Sequence, residues 1–254
     1  MQNVSREYAG VNGRVKALDN VSIDVAEGEF LMLVGPSGCG KSTLLNILAG
    51  LDRPDEGQVL LDGKRVTQPG PDRSLVFQDG ALFPWLDTLK NVEFGLKQAR
   101  LPARKRSEKA RHYLSLVGLE RFEKSYVHEL SGGMRQRVAL ARSLALEPEV
   151  LLMDEPFSAL DALTREDLYS ELQDLREGLS KTTVIFVTHN VREAVTLGDR
   201  VILMAPRPGR VQAEFKIEIL RPRQIDDVDV ARTAHQISLE MKTSHSYLRE
   251  VALT

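Results

Sequence analysis

The feature that most constrains the fold is the string G-P-S-G-C-G-K-S-T at positions 35–43. It directly follows the apolar run F-L-M-L-V at 30–34 and directly precedes an apolar segment with helical spacing. Glycines let the backbone wrap around an anion so that successive N–H groups point at phosphate oxygens, and the following helix adds a partial positive charge. Lys41 can then reach the β- and γ-phosphates, and the Ser42 hydroxyl can ligate Mg²⁺. This strand, loop and helix context predicts a phosphate-binding loop rather than a chance glycine-rich turn.

Two further segments carry groups suited to the same chemistry. The buried-strand pattern V-L-L-M-D at 150–154 ends in Asp154, which can hold a Mg²⁺ shell, and Glu155 can then act as general base for an attacking water. The string L-S-G-G-M-R-Q-R at 130–137 makes Ser131 a good helix N-cap and leaves two glycine amides uncovered, which is a second anion site. Seen alone, each segment is more often an ordinary strand end or capped helix. Their occurrence together with the loop favours the functional interpretation.

Short apolar or β-branched runs alternate with longer amphipathic segments, which predicts an α/β protein. Between about 88 and 146 only helical periodicity is present, broken near Pro102 and Gly118, so we expect a helical subdomain inserted into the α/β core. The predicted strands are 21–25, 30–34, 57–61, 73–77, 150–154, 183–187 and 200–204. The predicted helices are 41–49, 103–117, 131–146 and 160–178, with a further helix from about 229.

Composition narrows the range of functions. The 34 Lys and Arg residues nearly balance the 36 Asp and Glu residues, which argues against nucleic-acid binding over the whole surface. The single cysteine, Cys39, excludes an internal disulfide and fits a reducing compartment. The apolar runs are far shorter than the roughly 18 residues of a membrane helix, and the first residues lack a signal-peptide pattern. We therefore expect a cytoplasmic chain that reaches a membrane only through a partner.

Five motifs occur together in one order: the loop at 35–43, L-S-G-G-M at 130–134, V-L-L-M-D-E-P at 150–156, S-A-L-D at 158–161 and V-T-H at 187–189. With this spacing the chain resembles the nucleotide-binding subunit of an ATP-binding-cassette (ABC) transporter over about residues 1–210. The resemblance implies an α/β fold with a P-loop NTPase core, an antiparallel β subdomain and an inserted α-helical subdomain at about 88–146. It implies a nucleotide-binding domain at 1–220 and a short, partly helical tail at 221–254.

The resemblance also implies roles for individual residues, with ATP and Mg²⁺ as substrate and cofactor. Glu155, His189 and Gln78 are the expected catalytic residues, and Ser42, Gln78 and Asp154 are the expected Mg²⁺ ligands. His189 and Tyr8, taken without the motif pattern, could equally be a structural histidine and a strand-end tyrosine. The residues expected to contact nucleotide are Tyr8, Gly35, Pro36, Ser37, Gly38, Cys39, Gly40, Lys41, Ser42, Thr43, Ser131, Gly132, Gly133 and Asp161.

One position departs from the family pattern, because Met134 replaces the usual glutamine after the two signature glycines. The contacts expected of Ser131 and the glycine amides survive this change, and similar importer subunits also carry methionine there. Cys39 is interpreted as a small packing residue of the loop, although modification of its thiol could block ATP.

In this family the two halves of each ATP site come from opposite subunits, so the resemblance implies an ATP-sandwich dimer with a second copy or a paralogue. It further implies integral membrane permease subunits as partners, a solute-binding protein indirectly, no nucleic acid, and a peripheral position on the cytoplasmic face of the inner membrane. The cluster Phe83, Pro84 and Trp85 could be core or could line the groove for the permease. The basic stretch Lys97–Arg111 is expected to be a solvated helix face rather than a lipid contact.

The strings F-Q-D-G-A-L-F-P-W-L and V-T-H-N-V-R-E-A-V resemble bacterial importer subunits for nitrate, sulfonate, taurine or bicarbonate. The expected function is therefore ATP hydrolysis coupled to import of a small anion. The alternatives are an ABC ATPase of another transporter type, such as an exporter or a lipid or metal transporter, a soluble ABC ATPase acting on nucleic acid, and a binding module that does not hydrolyse ATP.

Overall fold

The computed structural model describes residues 1–10, 13–178 and 181–251. These form two compact units, one of Met1–Gly70 with Ile185–Thr254 and one of Pro71–Val184. Among the described residues, no helix combines the length and the hydropathy needed to cross a bilayer.

The first unit contains an antiparallel β subdomain. Its hairpin pairs β1 with β2, with Tyr8 opposite Val15, and β1 lies between β2 and β4. Gly57 in β4 has φ 79°, and a Cβ there would lie 2.3 Å from the carbonyl oxygen of Asn3, so this close strand approach requires glycine. The strands are β1 (Gln2–Gly10), β2 (Gly13–Val21), β4 (Glu56–Gln58) and the small pair β5 (Leu60–Leu61) and β6 (Lys64–Arg65).

The same unit carries the strand that precedes the phosphate loop. All five residues of β3 are buried, and β10 runs parallel to it with Arg200 opposite Leu31. The strand order is β11-β10-β3-β9, with β11 antiparallel at the edge. The elements are β3 (Phe30–Val34), α1 (Lys41–Ala49), β9 (Thr183–Thr188), which begins in the second unit, α6 (Val191–Leu197), β10 (Arg200–Ala205), β11 (Arg210–Lys216) and α7 (Val228–Val251).

In its described part, the second unit pairs two parallel strands and holds four α-helices. β7 runs beside β8 with Val76 opposite Met153. Local signals start the helices, since Asp87 accepts a hydrogen bond from the Lys90 amide at the start of α2, 2.8 Å away. The elements are β7 (Arg73–Val76), α2 (Thr88–Gln98), α3 (Ala103–Leu116), α4 (Gly132–Leu144), β8 (Val150–Asp154) and α5 (Ala162–Gly178).

Residues 88–149, all of them described, contain helices and no strand; within them Tyr126 forms an isolated bridge with Asp87, which precedes the segment. The predicted fold class, an α/β core with an antiparallel β subdomain and an inserted helical region, is confirmed. The predicted limits 88–146, 1–220 and 221–254 stay predictions. Four cations of the basic stretch pair with glutamates: Arg104 with Glu108, Arg106 with Glu93, Lys109 with Glu147 and Arg111 with Glu123. Arg104 and Arg111 are exposed, whereas Arg106 and Lys109 are half-buried.

Several strand predictions were wrong. The strand predicted at 21–25 does not form: β2 ends at Val21, and Ile23 exchanges two hydrogen bonds with Met1 without continuing the strand. The strand predicted at 57–61 is divided into β4 and β5. The strands β1, β2 and β11 were missed, since their exposed, polar-rich sequences carry little of the hydrophobic signal that marks a buried strand.

Candidate functional site

The phosphate loop lies between β3 and α1, as predicted. Gly38 and Gly40 have φ values of 78° and 89°, a region that side-chain-bearing residues avoid. Gly40 is the N-cap of α1 and no side chain caps the helix, so the amides of its first turn are left for a ligand. Backbone N–H groups at an uncapped helix start bind anions.

Close packing explains why positions 35 and 40 of the loop are occupied by glycine. A Cβ on Gly35 would lie 2.7 Å from the Cys39 sulfur and 2.8 Å from the carbonyl oxygen of Met204. A Cβ on Gly40 would lie 2.7 Å from the carbonyl oxygen of Ala17. The loop is therefore packed against its own unit with no room for side chains at these positions.

Lys41 is the first residue of α1 and only 5% exposed. Its ammonium group donates hydrogen bonds to the carbonyl oxygens of Gly35, at 2.8 Å, and Pro36, at 3.1 Å. The cation is thus folded back over the loop, where it can exchange these carbonyls for phosphate oxygens. The adjacent Ser42 is exposed, and Thr43 is half-buried.

Cys39 is fully buried beneath the loop. Burial raises the pKa of its thiol, against the opposing effect of the nearby Lys41 ammonium. A buried thiol with a raised pKa carries little thiolate and reacts slowly. The geometry favours the packing interpretation of Cys39.

His189 follows β9 in a loop held by hydrogen bonds on both sides. The Asn190 amide donates to the Thr188 hydroxyl at 2.9 Å, and the Asn190 side chain accepts from the Glu193 amide at 3.3 Å, which starts α6. Thr188 in turn donates to the buried Glu193 carboxylate. His189 is exposed on this braced loop.

In the second unit, Asp154 ends β8 and Glu155 follows it, both half-buried. Glu155 has φ 44°, an unfavourable backbone conformation for a residue other than glycine. Its carbonyl oxygen accepts hydrogen bonds from the Ser158 amide and hydroxyl, at 3.2 Å and 2.9 Å. Such strain, held by surrounding bonds, is concentrated at functional sites in proteins.

Ser131 is the N-cap of α4, as predicted, and its hydroxyl accepts from the Met134 amide at 3.3 Å. Gly133 is buried against α5, since a Cβ there would lie 2.4 Å from Cγ2 of Thr164. At Gly132 the nearest atom, Cδ2 of Leu160, would be at an ordinary 3.4 Å. Packing therefore requires glycine at position 133 but leaves room for a side chain at position 132.

Asp161 precedes α5 and uses its carboxylate to accept a hydrogen bond from the Thr164 amide at 3.0 Å. This backbone bond lowers the pKa of Asp161. The start of α4 and the Asp161 segment thus meet within the second unit, through the contact of Gly133 with Thr164.

Gln78 lies two residues after β7 and is exposed. The loop after it is held by Arg142 of α4, which donates to the carbonyl oxygens of Gly80 and Ala81 at 2.7 Å and 2.8 Å. Ala81 has φ 42°, so this loop is also strained. Sequence reasoning missed Arg142, and its only signal was its position about three turns into the helix that follows the signature.

An aromatic cluster follows this loop. Phe83 contacts the rings of Trp85 and Phe94, with centroids 5.5 Å and 4.3 Å away, and Trp85 is 70% exposed. The fully buried Asn91 fixes the backbone, accepting from the Phe83 amide at 2.8 Å and donating to the carbonyls of Phe83 and Leu86 at 3.2 Å. A rigidly held, exposed aromatic ring is a common feature of protein interfaces.

The three residues predicted to bind Mg²⁺ lie in different units, Ser42 in the first and Gln78 and Asp154 in the second. Each side chain carries an oxygen atom, in a hydroxyl, an amide and a carboxylate, and oxygen is the ligand that Mg²⁺ prefers. Within the described ranges there is no group of three or more His, Cys, Asp and Glu side chains that could hold a metal ion.

The fold, and the phosphate loop that leads into the uncapped start of α1, define a nucleotide-binding α/β protein. Comparison with known proteins identifies its family. The family model described as ABC transporter matches residues 18–158. The taurine import ATP-binding protein of Roseobacter denitrificans is 49% identical over 218 residues, with 85% of this chain and 81% of that protein covered. The nitrate import ATP-binding protein of Synechocystis is 48% identical over 217 residues, with the same coverage.

Among solved structures, the fold is similar to that of an ATP-binding cassette determined as a dimer in a post-hydrolysis state with ADP and phosphate bound. The TM-score is 0.76 at 37% identity, with 86% of this chain and 98% of that one covered. The chain belongs to the ABC transporter family, as an ATP-binding, ATP-hydrolysing cassette. The predicted family, its importer group and the enzyme class are thereby confirmed.

Proposed function

We propose that this chain is the ATP-hydrolysing subunit of an importer for a small anion such as nitrate, a sulfonate, taurine or bicarbonate. The proposal rests on the sequence identity of 49% to a taurine import ATP-binding protein and 48% to a nitrate import ATP-binding protein, each over 85% of the chain. The composition agrees, because the nearly balanced charge gives no support to the nucleic-acid alternative.

In this proposal the loop at 35–43 binds the phosphates of ATP. The uncapped amides of α1 and the Lys41 ammonium supply the positive charge, and Tyr8 stacks on the adenine ring. Ser42, Asp154 and Gln78 would hold Mg²⁺, which when bound neutralises part of the phosphate charge.

For hydrolysis, Glu155 accepts a proton from the attacking water while the bond between the γ-phosphorus and the bridging oxygen of ADP breaks. The products are ADP and inorganic phosphate, and His189 donates a hydrogen bond to the γ-phosphate. General-base assistance of this kind contributes about 10²- to 10⁴-fold to rate. The braced loop around His189 and the strained backbone at Glu155 support these roles, because hydrogen bonds hold the backbone at both positions before substrate binds.

Two copies, or this chain and a paralogue, are proposed to close around two ATP molecules, as the similar solved dimer suggests. Ser131, Gly132 and Gly133 of one subunit would contact the γ-phosphate bound by the other, and Asp161 would lie at the seam. Because the γ-phosphate contacts the second subunit only in the closed dimer, its loss on hydrolysis reopens the pair.

The cluster of the half-buried Phe83 with the exposed Trp85 and Phe94 is the proposed docking surface for a membrane permease. The subunit would then lie on the cytoplasmic face of the cell membrane and act with a solute-binding protein. Trp85 presents a large exposed ring next to a backbone that Asn91 holds rigid, which suits a docking anchor.

The test is ATP turnover and solute uptake by the complex of this subunit with its permease in vesicles. Uptake of labelled taurine, nitrate, a sulfonate or bicarbonate should require internal ATP and stop with Glu155→Gln, which should also form an ATP-dependent dimer detectable by light scattering. Export of these solutes, or hydrolysis unaffected by Glu155→Gln, would contradict the proposal. Trp85→Ala is the matched control, since it should release the subunit from the permease and leave the soluble ATPase rate intact.

A further inference from the structure

The hydroxyl group of Tyr8 is hydrogen-bonded to the ion pair of Arg6 and Asp52, two residues for which the sequence predicted no role. The Tyr8 hydroxyl donates to Oδ2 of Asp52 at 2.6 Å. Arg6 binds the same carboxylate with two donors, Nε at 3.0 Å and a terminal nitrogen at 2.8 Å. The Arg6 guanidinium also lies 4.7 Å from the centroid of the Tyr8 ring, over one of its faces. Ring position and hydroxyl direction are therefore both fixed by one ion pair.

Asp52 is in turn attached to the far end of the phosphate-loop helix. α1 begins at Lys41 and ends at Ala49, and its C-cap is Gly50, whose φ is 74° and where a Cβ would lie 2.4 Å from the backbone of Gln68. The Asp52 amide donates to the carbonyl oxygen of Asn46, 3.2 Å away, within the last turn of α1. A helix is stiff along its axis, so Asp52 has a fixed distance from Lys41.

The exposed face of Tyr8 remains available to a base. The residue is 37% exposed although Arg6 covers one ring face. Burial acts to raise the pKa of Asp52, but the bond from Tyr8 and the charge of Arg6 leave it below its ordinary value. Asp52 is thus a carboxylate acceptor at neutral pH, and the arrangement persists under the conditions in which a nucleotide binds.

We propose that Asp52 is a positioning residue for nucleotide binding, which acts through the Tyr8 hydroxyl to hold the base-stacking ring at a set distance from the phosphate loop. The proposal rests on the proposed function, because it assumes that Tyr8 stacks on adenine. The energetic gain lies in preorganisation, since a ring that is already immobile loses no rotamer freedom when the base binds.

Asp55→Asn is a matched control, which separates positioning of the Tyr8 ring from a purely structural role of the ion pair. Asp55 also binds Arg6, at 2.9 Å, and accepts from the Glu7 amide at 2.6 Å, but it has no hydrogen bond to Tyr8 among the described contacts. Asp55→Asn therefore weakens the same hairpin without releasing the ring. Asp52→Asn weakens the hairpin and releases the ring.

The experiment measures dissociation constants of Mg-ADP and of magnesium pyrophosphate by calorimetry, because pyrophosphate has no base and ADP is not hydrolysed. Tyr8→Phe and Asp52→Asn should each weaken ADP binding about two- to tenfold, the cost of immobilising one side chain. The double variant should lose no more than either single one. Pyrophosphate affinity should not change, and Asp55→Asn should leave the ratio of the two affinities at the wild-type value.

Equal losses for ADP and pyrophosphate in Asp52→Asn would overturn the proposal in favour of a structural brace. Additive losses in the double variant, or an unchanged ADP affinity in Tyr8→Phe, would overturn it as well. Tyr8→Phe keeps the ion pair intact, so it tests the hydroxyl even where Asp52→Asn fails to fold. A failure of the underlying function looks different, because Tyr8→Ala would then leave ADP binding unchanged.

Discussion

The contrast between the two signature glycines leads to a sharp prediction for Gly133→Ala. A methyl group at Gly133 would lie 2.4 Å from Cγ2 of Thr164, about 1 Å inside ordinary van der Waals contact. Thr164 is β-branched and lies in the first turn of α5, so its χ1 angle adjusts poorly. Gly133 itself is buried, which leaves the added carbon no alternative path.

The magnitude follows from two opposing terms. Overpacking of a well-packed site costs about 1–3 kcal/mol, and the severity of this overlap places the cost near the upper end. Replacing glycine by alanine in a helix returns about 1 kcal/mol through propensity. The net loss is about 2 kcal/mol, which for a protein of this size lowers the melting temperature by about 4–8 °C.

The assay is thermal unfolding followed by circular dichroism, with Gly132→Ala as the matched control. At Gly132 the new methyl group meets its nearest neighbour at 3.4 Å, so stability should be unchanged or higher. Thr164→Ser removes the clashing methyl group and keeps the hydroxyl, so the double variant with Gly133→Ala should regain most of the lost stability. Equal melting temperatures for the two alanine variants, or no rescue by Thr164→Ser, would refute the steric reasoning.

Three further predictions concern other contacts. Because burial raises the pKa of Cys39, we expect iodoacetamide to label it at pH 7.5 far more slowly in the folded chain than in denaturant, with equal rates contradicting its burial. Arg142→Met removes two charge-assisted bonds to the loop after Gln78, and chemical denaturation should show a loss of about 2–4 kcal/mol that Arg142→Lys recovers only in part. The hydrogen bond from the Thr164 amide lowers the pKa of Asp161 in the folded protein. The ionised Asp161 carboxylate therefore stabilises the fold fully above its ordinary pKa of 3.8, and this stabilisation is lost as pH falls through the lowered pKa of the folded state. Asp161→Asn should therefore melt below wild type at pH 7, and the difference in melting temperature should shrink as pH is lowered below 3.8; a difference that does not change with pH would contradict this linkage.

The sequence predicted the parts of the fold whose signals are local. The buried strands at 30–34 and 150–154 were predicted to the residue, because continuous apolar runs bounded by glycine or acidic residues identify a strand without reference to its neighbours. The helix starting at Ser131 was predicted from its N-cap. The hairpin strands β1 and β2 were missed, since strands whose stability comes from each other show little hydrophobic pattern of their own.

For the site, the sequence by itself determined the chemistry, and the tertiary structure decided how the groups are held. The phosphate loop at 35–43 could be identified from the string alone, because backbone amides bind phosphate with glycine spacing as the main requirement. No sequence pattern connects Tyr8 with Asp52, 44 residues away, or Arg142 with Gly80, 62 residues earlier. Such contacts depend on where strands and helices meet in space, and side-chain hydrogen bonds form only at that distance and angle. The residues predicted to act on the nucleotide can therefore be identified from sequence motifs, whereas the long-range contacts around them appear only in the folded protein.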